Sequence, residues 1–156
     1  MDVVDKVTRS RMMSGIRGKN TQPELKVRRF LHALGYRFRL HRKDLPGKPD
    51  IVLPKLMTCI FVHGCFWHRH PGCQYSTWPS TRSEFWNEKF KKNVDRDARH
   101  QAALETAGWN VFIVWECELK GVGSALSNLS DKLEAISKTR RAMITKKKAQ
   151  LDPSSG

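Results

Sequence analysis

Apolar positions along this chain change period several times, and each change marks an element. Val27, Phe30, Leu31 and Leu34 recur at helical spacing behind Thr21, a good N-cap type, with Pro23 and Glu24 in the first turn and Gly35 closing the run. Residues 36–40, Tyr-Arg-Phe-Arg-Leu, then alternate apolar and basic, as a half-exposed strand does. Leu45-Pro46-Gly47-Lys48-Pro49 is a turn-rich approach to a second strand over residues 50–53, which Pro54 and Lys55 end. Residues 57–62 predict a third, central strand. The sequence Thr81-Arg82-Ser83-Glu84 fits a capping box, and the helical pattern it opens runs to Gly108. Residues 110–115 form an apolar run of buried-strand type, and a last amphipathic helix carries Leu126, Leu129, Leu133 and Ile136. The order α-β-β-β-α-β-α predicts an α/β core built on a mixed sheet flanked by helices.

Outside this pattern lie two polar segments. Residues 1–20 read as a basic N-terminal arm in which Arg9, Arg11, Arg17 and Lys19 flank Met12 and Met13. Residues 138–156 are too polar and basic to fold alone and read as a flexible tail. That leaves residues 21–137 as a single domain, since 156 residues divided into two cores would leave each marginal.

Charge changes the picture more than composition does. Lys and Arg number 29 against 15 acids, a formal net charge of +14, which favours a polyanionic partner. The tail holds six basic residues against Asp152 alone, so most of the excess belongs to the body of the chain. The longest wholly apolar run in the strand region, Cys59-Ile60-Phe61-Val62, is far short of the roughly 18 residues a membrane span needs. The first residues lack the charged-then-apolar order of a secretory signal, so a cytoplasmic, reducing location is expected, where four cysteines serve as metal ligands or packing thiols.

The densest chemistry follows the third strand. Residues 63–73, His-Gly-Cys-Phe-Trp-His-Arg-His-Pro-Gly-Cys, carry three imidazoles, two thiols and two aromatic rings. Thiolate and imidazole at such short separations suit a tetrahedral Zn²⁺ site. Cys65, His70 and Cys73 are the candidate ligands, and Cys117 completes a Cys₃His set if its strand lies beside the one feeding the loop. Ordinary buried thiols plus a surface histidine are the alternative. Cys59, in mid-strand, is expected to be a small buried hydrophobe instead. Four protein ligands make the site structural, and Phe66 and Trp67, inside the stapled loop, are placed to touch nucleic acid.

With His70 on zinc, His63 and His68 remain free. Asp50 opens the strand expected to pair with the one ending at His63, so a carboxylate and an imidazole can meet at one sheet edge. Such an acid, with Glu24 as a second, suits Mg²⁺ on a scissile phosphate, because that ion takes hard oxygen ligands. Asp97 shares the spacing of Phe90, Val94, Gln101 and Leu104 and therefore projects on an apolar stripe, where it needs a partner. A histidine and an arginine are equal candidates for that partner.

Pro49-Asp50, the run from Phe61 to His68, Thr81 to Trp86, Lys92 to Asp97 and Val114 to Cys117 together resemble the very-short-patch-repair (Vsr) mismatch endonucleases, over roughly residues 5–120. The resemblance implies a restriction-endonuclease-like core and Mg²⁺-dependent nicking of the thymine strand at T:G mismatches, which arise when 5-methylcytosine deaminates. It makes Asp50 the metal-binding carboxylate, the main-chain carbonyl of Val62 a further ligand, and Glu24 a holder of metal through water. His68 would activate the attacking water, Asp97 would orient His68, and His63 would assist at the phosphate. Phe66, Trp67 and Trp86 become an intercalating set, with Met13 approaching from the other groove. Read from the helix alone, Trp86 also fits the core, one turn before Phe90.

The cofactors implied are catalytic Mg²⁺ and one structural Zn²⁺ per chain. The partners implied are double-stranded DNA carrying a T:G mismatch and, at one remove, mismatch-repair proteins, for a monomeric, nucleoid-associated bacterial protein without membrane contact. Two rival readings remain: a zinc-stabilised DNA-binding module without catalysis, and a restriction or resolvase-type nuclease of the same fold. The first leaves Asp50, Glu24 and Asp97 without a purpose; the second leaves the loop aromatics without one.

Overall fold

The computed structural model describes residues 20–120 and 124–151. Met13 and nearly all of the expected arm lie outside them. The described elements are α1 (Gln22–Ala33), β1 (Arg39–Leu40), β2 (Ile51–Leu53), β3 (Thr58–His63), α2 (Ser83–Thr106), β4 (Asn110–Trp115) and α3 (Ser124–Leu151). They form a four-stranded sheet in the order β1-β2-β3-β4, antiparallel except for the parallel β3–β4 pair, so the predicted mixed sheet and element order are both present.

Strand periodicity divides the core between the two sheet faces. Ile51, Leu53, Ile60 and Val114 face α1 and α3, where they meet Val27, Leu31, Leu129 and Leu133. Val52, Cys59 and Phe61 face the other way and meet Leu104 of α2, with Trp109, Val111 and Ile113 around them. Covered on both faces, β2 is buried throughout and β3 nearly so, which is why both read as continuous apolar runs instead of alternating ones. Cys59 is fully buried in this packing, as expected of a mid-strand thiol.

The helix start at Thr21 behaves as its residues dictate. The Thr21 hydroxyl accepts from the Glu24 N–H, and Glu24 thereby sits in the first turn of α1. Three expectations need correction. β1 spans two residues instead of five: Tyr36 and Phe38 turn inward onto the α1/α3 core, and Arg37 and Arg39 stay exposed, without a ladder along the whole segment. The capping box at Thr81 does not form. Arg82 occupies the N-cap position in a left-handed conformation (φ 55°), with its guanidinium 4.9 Å from the Phe85 ring centroid, so stacking takes the place of a side-chain cap.

The third correction concerns the tail. α3 continues to Leu151, so residues 138–151 are helical where an irregular segment was expected. The stretch contains neither Gly nor Pro and is rich in Ala, Lys, Arg and Met, all strong helix formers. Every residue from Arg141 to Leu151 is exposed, so intrinsic propensity and not packing holds this end. No helix among the described residues is long and apolar enough to cross a membrane.

Candidate active site and metal cluster

The parallel β3–β4 register places His63 opposite Trp115. Two residues beyond each strand end stand Cys65 and Cys117, and the Cys117 N–H donates to Cys65 Sγ at 3.4 Å. His70 turns back so that its Nδ1 lies 3.3 Å from Cys117 Sγ and 3.8 Å from Cys65 Sγ, with its ring stacked on Trp115 at 4.2 Å. Cys73 joins them, and all four donor atoms lie within 4.8 Å of one another, a group that could hold a metal ion. Ser76 Oγ donates toward both the Cys65 and His70 carbonyls and closes the loop from outside.

Protons are unevenly held in this cluster. Burial pushes the Cys65 thiol up to about 12. For Cys73 the effect of burial is outweighed by hydrogen bonds from the backbone at Tyr75 and Ser76 and from the neighbouring cysteines, which bring it below the ordinary thiol value. Metal binding therefore displaces protons from thiols that the metal-free fold does not ionise equally.

The second cluster occupies a groove of about 840 Å³ on the α2 side of the sheet, rimmed by Lys43, Lys48, Lys89 and Arg96. Because β2 and β3 are antiparallel, the start of β2 meets the end of β3, and Asp50 Oδ2 accepts from the Val62 N–H at 2.8 Å. The turn leading into Asp50 depends on Gly47 (φ +77°), where a Cβ would come within 2.9 Å of His100 Cβ on α2. Asp50, Glu24 and His41 form one group of potential metal ligands. Burial raises the Asp50 carboxyl to about 8; the Val62 N–H opposes this, and Glu24 beside it adds to it.

Glu24 is itself buried, at 1% exposure, and is held from several sides. Arg28, one turn along α1, donates to it. His41 Nε2 lies 3.1 and 3.2 Å from its two oxygens, and the Asn20 N–H donates at 2.7 Å. Arg28 and His41 were not picked out in the sequence. The i,i+4 spacing of Glu24 and Arg28 was a readable signal for the first, whereas nothing local marks His41, a positive-φ residue whose partner is 17 positions away.

Across the groove, His68 Nδ1 lies 2.6 Å from Asp97 Oδ2. A carboxylate only accepts, so His68 donates from Nδ1, and in the neutral ring that tautomer leaves the lone pair on Nε2. The partner of Asp97 is thus the histidine and not an arginine. Burial of Asp97 is outweighed by the His68 hydrogen bond and the nearby imidazoles, leaving its carboxyl below the ordinary carboxylate value. His63 stacks flat on His68 at 3.8 Å, and burial lowers it to about 3, so it is neutral at physiological pH.

The loop aromatics are half-buried, not freely projecting. Phe66 meets Trp67 at 5.0 Å, Phe90 at 5.1 Å and Trp86 at 5.8 Å, and Trp86 in turn stacks on Phe90 at 5.4 Å. Trp86 therefore serves the packing of α2 and the half-buried aromatic cluster at once. The Trp67 carbonyl accepts from Asn93 Nδ2 at 3.2 Å, another contact the sequence did not announce. Of the residues proposed from sequence, the polar ones and Val62 gather in these two adjoining clusters, Phe66, Trp67 and Trp86 pack together beside them, and Met13 lies outside the described residues.

A soft-donor cluster beside a basic groove with an acid-oriented imidazole and paired carboxylates defines the equipment of a hydrolase acting on a polyanion. Sequence comparison narrows that class to one family. The family model of the DNA mismatch endonuclease Vsr matches residues 1–74. The chain is 50% identical to the type II nicking enzyme V.XorIIP of Xanthomonas oryzae pv. oryzae, over 79% of this chain and 90% of the relative. It is 47% identical to the DNA mismatch endonuclease Vsr of Escherichia coli, over 77% and 76%. It is 45% identical to the type II nicking enzyme V.NmeAIP of Neisseria meningitidis, over 76% and 84%. The chain belongs to the Vsr family of DNA mismatch endonucleases.

Proposed function

We propose that this chain hydrolyses one phosphodiester bond on the thymine strand of a T:G mispair in double-stranded DNA, acting as a monomer on a restriction-endonuclease-like core. The observation that carries this reading is the pairing of His68 with Asp97 at 2.6 Å across a basic groove from Asp50, with Glu24 buried beside Asp50. Two relatives bear the name of nicking enzymes, which supports cutting of a single strand.

Asp50, the Val62 carbonyl and Glu24 are oxygen donors, which fits Mg²⁺, and a buried carboxyl raised to about 8 is one that a bound cation would ionise. When bound there, Mg²⁺ would supply positive charge to the scissile phosphate. His68 Nε2 removes a proton from the attacking water, and Asp97 stabilises the imidazolium that results. The water oxygen bonds to phosphorus as the bond to the leaving sugar oxygen breaks. His63, neutral and stacked on His68, can hydrogen-bond the phosphate without adding charge.

The soft cluster is read as structural zinc. A thiolate about 2.3 Å and an imidazole nitrogen about 2.0 Å from a tetrahedral ion lie roughly 3.5 Å apart, and the His70 Nδ1 separations of 3.3 Å from Cys117 Sγ and 3.8 Å from Cys65 Sγ bracket that value. With the loop so fixed, Phe66, Trp67 and Trp86 form a wedge for a base step, with Met13 as its counterpart from the arm. Unstacking costs a few kcal/mol and least at a mispair, so the wedge discriminates by deformability. Incubation of the protein and Mg²⁺ with end-labelled T:G and T:A duplexes tests the reading. A nick confined to the thymine strand of T:G DNA is expected. Equal cutting of T:A would refute mismatch recognition, and cutting of neither would leave a binding module.

A further inference from the structure

The metal cluster fixes Cys65 and His70, but residues 66–69 lie between those ligands and contribute none of their own. What holds the wedge residues inside that gap is therefore a separate question, and Arg69 answers it. Its guanidinium sits 4.1 Å from the Phe90 ring centroid, 4.3 Å from Trp78 and 5.6 Å from Phe66. Nη1 donates to the carbonyls of Phe66 (3.2 Å) and Thr77 (3.0 Å), and Nη2 donates to the carbonyl of Ser76 (2.9 Å). Among the described residues no carboxylate pairs with it.

An arginine free for DNA would present its donors to solvent. This one directs Nη1 and Nη2 at three backbone carbonyls and sits against two rings that meet each other edge-on at 5.5 Å, one on α2 and one on the segment returning from the loop. It thereby joins the Phe66 backbone, residues 76–78 and α2 into one unit. The Phe66 ring rests on the same Phe90 that the guanidinium covers, and Trp67 leans on Phe66.

We infer that Arg69 is a positioning residue for mispair recognition, which presets Phe66, and through it Trp67, against α2 independently of the metal. The inference rests on the wedge reading proposed above. A wedge held in place before DNA arrives does not have to be ordered during binding, so loss of the clamp weakens the complexes that use the wedge. Lysine cannot replace the fork, because a single ammonium cannot span three carbonyls and stack as a plane.

The test compares the full zinc-loaded chain with Arg69→Lys and Arg69→Ala in Ca²⁺, measuring affinity for T:G and T:A duplexes by fluorescence anisotropy. Both variants should bind T:G roughly tenfold more weakly, leave T:A binding unchanged and keep one zinc per chain. In Mg²⁺, KM for T:G DNA should rise and kcat at saturation should hold. Trp78→Leu, which removes one of the two rings against the guanidinium and leaves the carbonyl contacts, should shift the ratio the same way by less. It also serves if Arg69→Ala does not fold.

Restoration of the wild-type ratio by Arg69→Lys would overturn the inference in favour of simple charge. An equal loss on both duplexes would make Arg69 a phosphate contact, and loss of zinc would make it part of the loop's structural frame. A wild-type chain that does not itself discriminate T:G from T:A removes the wedge reading and this inference together; discrimination that survives in both variants removes this inference alone.

Discussion

The soft-donor cluster and the carboxylate groove grow from the same strand end, yet they use opposite chemistry. One gathers three thiols and an imidazole so that their donor atoms lie within 4.8 Å of one another. The other sets Asp50, Asp97, His63 and His68 along an open groove, where His68 Nε2 has no hydrogen-bond partner among the described residues. Donor type would keep two ions apart here, since sulfur and imidazole favour zinc and carboxylate oxygen favours magnesium. Residues 63–73 alternate between the two, with His63 and His68 serving the groove and Cys65, His70 and Cys73 the cluster. One loop thus supplies donors to both clusters.

The sharpest way to break this division is to remove the groove's carboxylate. Asp50→Ala should lower the cleavage rate on T:G DNA by roughly a thousandfold or more and leave T:G affinity and zinc content in place. Simultaneous loss of zinc would show that the two clusters are not separable. Next in size, His68→Ala should cost about a hundredfold or more in kcat, with Asp97→Asn costing less. The double variant should be little worse than His68→Ala, since Asp97 acts through the imidazole.

The cluster's side of the comparison rests on cysteines. Cys117→Ser should lose the bound zinc and destabilise the fold, whereas Cys59→Ser should retain it, as metal analysis and thermal unfolding would report. Zinc retention should also fall as pH is lowered, because the thiols must shed protons to bind; a pH-independent affinity would contradict thiolate ligation. The smallest effect concerns the metal-free groove. The Asp50 carboxyl, raised to about 8 by burial, binds a proton in the folded chain at pH values where the unfolded chain, titrating near 4, does not. Stability without divalent ions should therefore fall as pH rises from about 4 to about 8. Asp50→Asn should flatten that slope and raise Tm at pH 8 by roughly 5 °C, and Mg²⁺ should do the same for the unaltered chain; an unchanged slope in Asp50→Asn would assign it to another group.

Local patterns carried much of the site because several of its parts are local. A Thr-x-x-Glu start fixed the first turn of α1, and a carboxylate on the α2 stripe announced that Asp97 needed a partner. Apolar runs identified β2, β3 and β4, whose burial on both faces the runs reflect. The failures occurred where a distant contact overrides local preference. Stacking of Arg82 on Phe85 displaced the capping box, and inward packing of Tyr36 and Phe38 shortened β1. In the opposite sense, helix propensity carried α3 past its last core contact, where charge alone suggested an irregular tail.

By itself, the sequence determined which ligand types this protein owns, their close spacing in one loop, the strands that deliver them and the excess of positive charge. These follow from residue identity and from periods of two and 3.6, which need no knowledge of the far side of the molecule. Tertiary structure alone decided that Cys117 closes the cluster, that Asp97 pairs with His68 and not with an arginine, that His41 holds Glu24, and that Arg69 packs against α2. Each joins side chains through strand register or through α2 packing across the sheet, and such relations are set by the whole fold, not by any local run of residues.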